Sequence, residues 1–137
     1  MPHEVFEHTA DLGIRVTADT LEELFAEAAA GLLEVLTEDP TAVAAGETRE
    51  LSVAGEDRAA LLADWLSELL FAFETQKMLF CEFNVRIGPG GLAATVRGEP
   101  YDPTRHSLAH EIKAVTHHLL EVSHGTNGWH ATFVVDI

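Results

Sequence analysis

Between Asp57 and Gln76 the residues Leu61, Leu62, Trp65, Leu66, Leu69, Leu70 and Phe73 recur at helical spacing. They cover so wide an arc that the helix cannot lie with one narrow stripe against a neighbour. A helix of this kind has to pack centrally, and a sheet is the surface that suits it. Asp57, just after the Gly55-Glu56 turn, is placed to cap its first amides. An earlier segment carries a capping-box pattern, Thr20-Leu21-Glu22-Glu23. Leu21, Leu24, Phe25, Ala28, Leu32, Val35 and Leu36 follow it with the same periodicity. This first helix is expected to end near Thr37, ahead of Asp39-Pro40.

The segments around the two helices read as strands. Glu4–His8 and Asp11–Ala18 precede the first helix, with Asp11 where the chain bulges or turns. Glu47–Val53 lies between the helices. Phe80–Ile87 and Leu92–Val96 flank Gly88-Pro89-Gly90-Gly91, a hairpin signal. That glycine-rich turn leads into a strand, so it is not a phosphate cradle, which would open a helix. Residues 99–110 read as a loop or short helix. Lys113–Val122 and Trp129–Val135 form the last two strands, separated by residues 123–128. The order predicts an α+β fold with two helices laid on one mixed β-sheet. A chain of 137 residues is one domain's worth, 1–137, large enough to fold without staples.

Charge excludes some functions. Eight Lys and Arg face 23 Asp and Glu, for a formal net charge of −15, and only Lys77 and Lys113 are lysines. A nucleic-acid binder needs clustered cations to displace phosphate counterions, so strong direct binding is not expected. A basic protein partner is compatible with the charge, and so is a simple role in solubility. The chain should be a monomer in a reducing cytoplasm. The single Cys81 sits in an apolar run as a small core residue, Met1-Pro2-His3-Glu4 opens no signal peptide, and no apolar stretch approaches the roughly 20 residues that span a bilayer.

Catalytic motifs are scarce. No nucleophile elbow, Walker loop or dinucleotide fingerprint occurs. His106 and His110 are four apart, but no His-Glu-x-x-His or cysteine pair supports a zinc site, and adjacent His117 and His118 point to opposite faces of a strand. Two acids stand out. Asp11 interrupts an apolar pattern between two strands, and Asp136 follows Phe133-Val134-Val135 just before Ile137. If the first and last strands are neighbours, these two carboxylates and the α-carboxylate of Ile137 converge. Like charges that close need a proton or a cation, and an all-oxygen set favours Ca²⁺, Mg²⁺ or Mn²⁺. The bland readings are an ordinary turn residue and a solvated chain end.

Four motifs in order resemble one family. His8-Thr9-Ala10-Asp11-Leu12-Gly13-Ile14 is similar to the opening of archeases, and Leu62-Ala63-Asp64-Trp65-Leu66-Ser67-Glu68-Leu69-Leu70 to their second helix. Lys113–His118 with Leu120-Glu121-Val122 resembles the late strand, where many members carry tyrosine in place of His117. Trp129-His130-Ala131 through Val135-Asp136-Ile137 resembles the ending. The resemblance implies nested strand–helix–strand–strand modules. It also implies a non-catalytic role: activating the GTP-dependent RNA ligase of tRNA splicing and RNA repair by promoting guanylylation and multiple turnover. It places a divalent cation, Ca²⁺ first, on Asp11, Asp136 and Ile137, with Lys113, Glu121 and His8 as further functional residues. Asp64 is expected to be structural or solvated. The rival readings are a metal-dependent hydrolase using the same acids and a general interaction or chaperone module.

Overall fold

The computed structural model describes residues 3–8 and 11–137, without the side chains at positions 7 and 8. Thr9 and Ala10 of the opening motif lie outside the described residues. Strands β1 (His3–His8) and β2 (Asp11–Ala18) lead into helix α1 (Leu21–Leu36). Strand β3 (Glu47–Ala54), helix α2 (Arg58–Gln76), and strands β4 (Met78–Gly88) and β5 (Gly91–Pro100) follow. The chain closes with β6 (Ala114–Val115), β7 (Glu121–Gly125) and β8 (Gly128–Asp136).

Both helices begin where their caps dictate. The Thr20 hydroxyl accepts the Glu23 amide at 3.1 Å and the Asp57 carboxylate accepts the Ala60 amide at 2.9 Å, each satisfying a donor that the first helical turn leaves open. Helix α2 ends on Lys77 in the left-handed conformation, φ 57°.

The α+β class with two helices stands, and the nesting is explicit. Strands β3, β5 and β4, in that order, form a three-stranded sheet inserted with α2 between the two halves of a five-stranded sheet. In the larger sheet the path runs β1-β2-β8-β6, and β7 also pairs with β8. The strands therefore divide into two sheets rather than one, and every ladder among the described residues is antiparallel. Hairpin connections such as Gly88–Gly91 produce antiparallel neighbours directly, whereas parallel pairs need long crossovers.

Helix α1 packs against β2 and β8 of one sheet and β4 of the other, and α2 reaches strands of both, so one apolar cluster serves both layers. Trp65, Phe25, Phe133 and Ile14 are fully buried in it. Each such side chain contributes about 1.5–3 kcal/mol relative to exposure. The Trp65 indole N–H donates to the Phe25 carbonyl at 3.0 Å, fixing α2 against α1. In the small sheet the register shifts between Phe80 and Glu82, leaving Cys81 as the extra residue of a bulge, half-buried rather than in the deep core. Burial, with Glu82 and Glu99 nearby, raises the pKa of its thiol.

The expected strand Lys113–Val122 is not continuous. It breaks into the two-residue β6, an irregular stretch, and β7. Leu119, at φ 56°, stands in the left-handed region that interrupts a strand.

Candidate functional site at the end of the five-stranded sheet

The antiparallel register of β2 and β8 sets Asp11 directly opposite Asp136. On the other side of β8, Ala114 is the partner of Asp136, and on the other side of β2, His8 is the partner of Asp11. One row thus runs His8, Asp11, Asp136, Ala114 across four strands. Asp11 and Asp136, opposed across the β2–β8 ladder, present their side chains on the same face, with Cβ atoms of such pairs about 4.5–5.5 Å apart. The two carboxylates therefore share a face, and both residues are half-buried.

The strand sequence explains their direction. Leu12, Ile14 and Val16 point into the core, as do Phe133 and Val135 from β8. Alternation sends Asp11 and Asp136 to the opposite face. Among the described residues, neither carboxylate has a basic side chain in ion-pair contact. Ile137 follows Asp136 at the end of the same strand and packs against the core. No group of three or more His, Cys, Asp or Glu side chains suited to a metal ion occurs among the described residues. A cation here would rest on two side-chain carboxylates and an α-carboxylate at Ile137. The donor chemistry fits a hard divalent cation, because all the oxygens are anionic and the pair otherwise repels itself.

The other sequence candidates fall at different distances from this row. The Lys113 backbone amide donates to the Asp136 carbonyl at 2.8 Å, so the residue borders the row. Its ammonium pairs with neither carboxylate; Lys113 instead lines a cleft with Phe73, Lys77 and Tyr101. Glu121 is the register partner of Thr132, four residues before Asp136 on β8. It stands on the same face as the carboxylates but roughly 13 Å along the strand. His8 belongs to the row by register. Asp64 is exposed on α2.

The histidines do not assemble into a site. His106 is only 4 % exposed and sits in an irregular segment rather than a helix. Its Nδ1 accepts the Asp102 amide at 2.9 Å, and its Nε2 donates to the Glu99 carboxylate at 2.8 Å. With both ring nitrogens engaged, it is not available as a zinc ligand or a general base, and His110 lies apart on the surface.

Glu99 is the hub of this knot. It accepts the Ala44 amide, Arg105 and His106, which hold its pKa down at about 2. Sequence reading passed over Glu99. The one signal it offers is a carboxylate closing a strand just before a Tyr-Asp-Pro-Thr turn.

Fold and site define an α+β protein of nested strand–helix–strand–strand units with a paired-carboxylate row at one sheet end. The archease protein family (MTH1598/TM1083) matches residues 3–137, and the chain belongs to that family. The archease of Methanopyrus kandleri is 43% identical over 141 residues, covering 100% of both chains. That of Methanosarcina acetivorans is 40% identical, covering 98% of this chain and 95% of its own. The solution structure of Methanobacterium thermoautotrophicum protein 1598 superposes with a TM-score of 0.88 at 38% identity, covering 99% of each chain. A Thermotoga maritima archease, described as a possible chaperone, shares the fold at TM-score 0.66 and 23% identity, covering 96% of this chain and 94% of its own. Among the described residues no helix is long and apolar enough to cross a membrane.

Proposed function

We propose that this chain is a non-catalytic activator of a GTP-dependent RNA ligase, promoting guanylylation of the ligase and its repeated turnover in tRNA splicing and RNA repair. The observation that carries the reading is the cross-strand pairing of Asp11 with Asp136 at an open sheet end, in a chain of the archease family. The two carboxylates and an α-carboxylate at Ile137 hold a divalent cation, Ca²⁺ by preference, with Mg²⁺ or Mn²⁺ as substitutes. Asp11 and Asp136 would hold the cation, which would neutralise the pair and supply a hard positive charge for oxygens of the ligase complex. Asp11 and Asp136 orient that charge because both are fixed by sheet register. The Lys113 amide holds the Asp136 carbonyl, keeping the strand end straight. The strongly acidic surface favours encounter with a basic partner.

A hydrolase using the same acids needs a general base. The buried histidine, His106, has both nitrogens engaged in fixing its own loop. A general chaperone role, the description attached to the Thermotoga maritima relative, gives no reason for two acids placed opposite each other.

The test is RNA joining by the cognate ligase under multiple-turnover conditions, from a 2′,3′-cyclic-phosphate end and a 5′-hydroxyl end. The native chain is expected to lift a ligase that stalls after one round. Asp11→Ala and removal of Ile137 are expected to abolish the effect while circular dichroism stays native. No stimulation by the native chain defeats the proposal. Unfolding of both variants reassigns the residues to structure.

A further inference from the structure

Cations are scarce in this chain, and most are already neutralised. Arg15, Arg49, Arg86, Arg97 and Arg105 all form ion pairs with carboxylates. Arg58 lies over the Trp129 ring at 5.0 Å. Lys77 lies over the Phe73 ring at 5.4 Å and Lys113 remains, and among the described residues neither contacts a carboxylate. Both line the same cleft, of about 680 Å³.

The backbone at each lysine is fixed. The Tyr101 amide donates to the Lys77 carbonyl at 2.7 Å, and the Lys113 amide to the Asp136 carbonyl at 2.8 Å. Opposite them, the Ala109 amide donates to the Leu36 carbonyl at 2.9 Å, pinning the wall that carries Leu108. Lys77 also holds a left-handed conformation, φ 57° and ψ 32°, that glycine or asparagine adopts with less strain. Lys77 caps α2, and its ammonium, held over the Phe73 ring at the cleft edge, has no carboxylate to neutralise it among the described residues. The wall between the lysines is aromatic: the Phe73 and Tyr101 rings meet edge to face, centroids 6.1 Å apart, and Leu108 is 39% exposed beside them.

We propose that this cleft binds a nucleoside phosphate, with Lys77 and Lys113 on the phosphoryl oxygens and Phe73, Tyr101 and Leu108 against the base. The volume suits a ligand of that size. Ammonium groups serve as point charges for phosphate; Lys77 already covers one Phe73 face and His106 stacks on one Tyr101 face, so a planar base would take the opposite faces or the ring edges. Glu74 and Glu111 also line the cleft and accept N–H groups on a base edge. Their charge, with the net −15 of the chain, disfavours bare phosphate and long polyanions. The cleft adjoins the carboxylate row at Lys113 but is lined by neither Asp11 nor Asp136, and its occupancy does not depend on a ligase.

The test is calorimetric titration of the full chain in EDTA with GMP, AMP, UMP, guanosine, inorganic phosphate and a short oligonucleotide, with amide chemical shifts to locate the site. At least one mononucleotide is expected to bind more tightly than guanosine or phosphate, and the oligonucleotide more weakly than the mononucleotide. Shifts are expected at Phe73, Tyr101, Leu108 and Lys113. Lys77→Gly and Lys113→Gln are each expected to lower affinity about tenfold, the effect of losing one charged hydrogen bond. Lys77→Gly is the discriminating variant, because glycine relieves the left-handed conformation. It is expected to keep or raise Tm while binding falls, which a purely capping lysine would not do. The absence of mononucleotide binding at about 10 mM, shifts confined to other surfaces, tightest binding by the oligonucleotide, or native affinity in both variants would overturn the assignment.

Discussion

Replacing Asp11 by Asn removes one of two like charges set opposite each other on adjacent strands. At a separation of about 5 Å, Coulomb repulsion is about 0.8 kcal/mol in water and about 3 kcal/mol at an effective dielectric constant of about 20. Both residues are half-buried, and like charges opposed across strands destabilise by up to about 1 kcal/mol, so the relief is about 1 kcal/mol. For a chain of this length that raises Tm by roughly 3–5 °C in EDTA. A divalent cation reverses the order. At a hundred times its Kd, a ligand that binds only the folded state stabilises by about 2.7 kcal/mol, which places the native chain about 1–2 kcal/mol above Asp11→Asn. Thermal denaturation of both proteins in EDTA and across Ca²⁺ and Mg²⁺ titrations reads the effect. A variant less stable than native in EDTA would make Asp11 a structural residue, and a native Tm indifferent to cations would refute the reasoning.

Two further outcomes follow from single sites. The His3 ring is bonded to Glu27 through one nitrogen and to Glu34 through the other. Burial lowers its pKa, but the two carboxylates outweigh that and leave it raised above 6.5. Its stabilisation is therefore complete below the unfolded-state value and lost as pH rises through the higher folded value. Native Tm should fall over that range relative to its own value at pH 6, His3→Ala should not show the fall, and identical profiles would remove the clamp. At Gly98 an added Cβ would stand 1.8 Å from the Leu79 carbonyl oxygen. Gly98→Ala is expected to destabilise by more than about 4 kcal/mol, seen as loss of the urea transition, and a loss under 1 kcal/mol would mean the bulge at Cys81 can yield.

Much of the fold was legible because local chemistry and tertiary structure agree. Strand β2 occupies Asp11–Ala18 as its alternation suggests, and α2 starts after Asp57 and ends at Gln76. The capping box at Thr20 fixes the start of α1. Local pattern does not reveal how strands divide between sheets, because that depends on which edges meet across the helices. Nor does it show the break after Val115, where a leucine takes a left-handed conformation that its residue type does not advertise. From sequence, the meeting of Asp11 and Asp136 depends on the first and last strands being neighbours; it is the second strand, β2, that pairs with β8, while β1 lies outside β2. The cleft shared by Lys77 and Lys113 left no mark at sequence level beyond the scarcity of lysines. It joins segments 36 residues apart through contacts that no spacing encodes.

The most direct measurement of the central claim is the yield of covalently guanylylated ligase. It is formed from labelled GTP with the native chain, with Asp136→Ala, or with neither, using ligase first cleared of bound nucleotide. The account predicts that the native chain raises both the rate and the extent of labelling, and that Asp136→Ala leaves them at the level of ligase alone. Equal labelling in all three, with the ligase still active in joining, would contradict it.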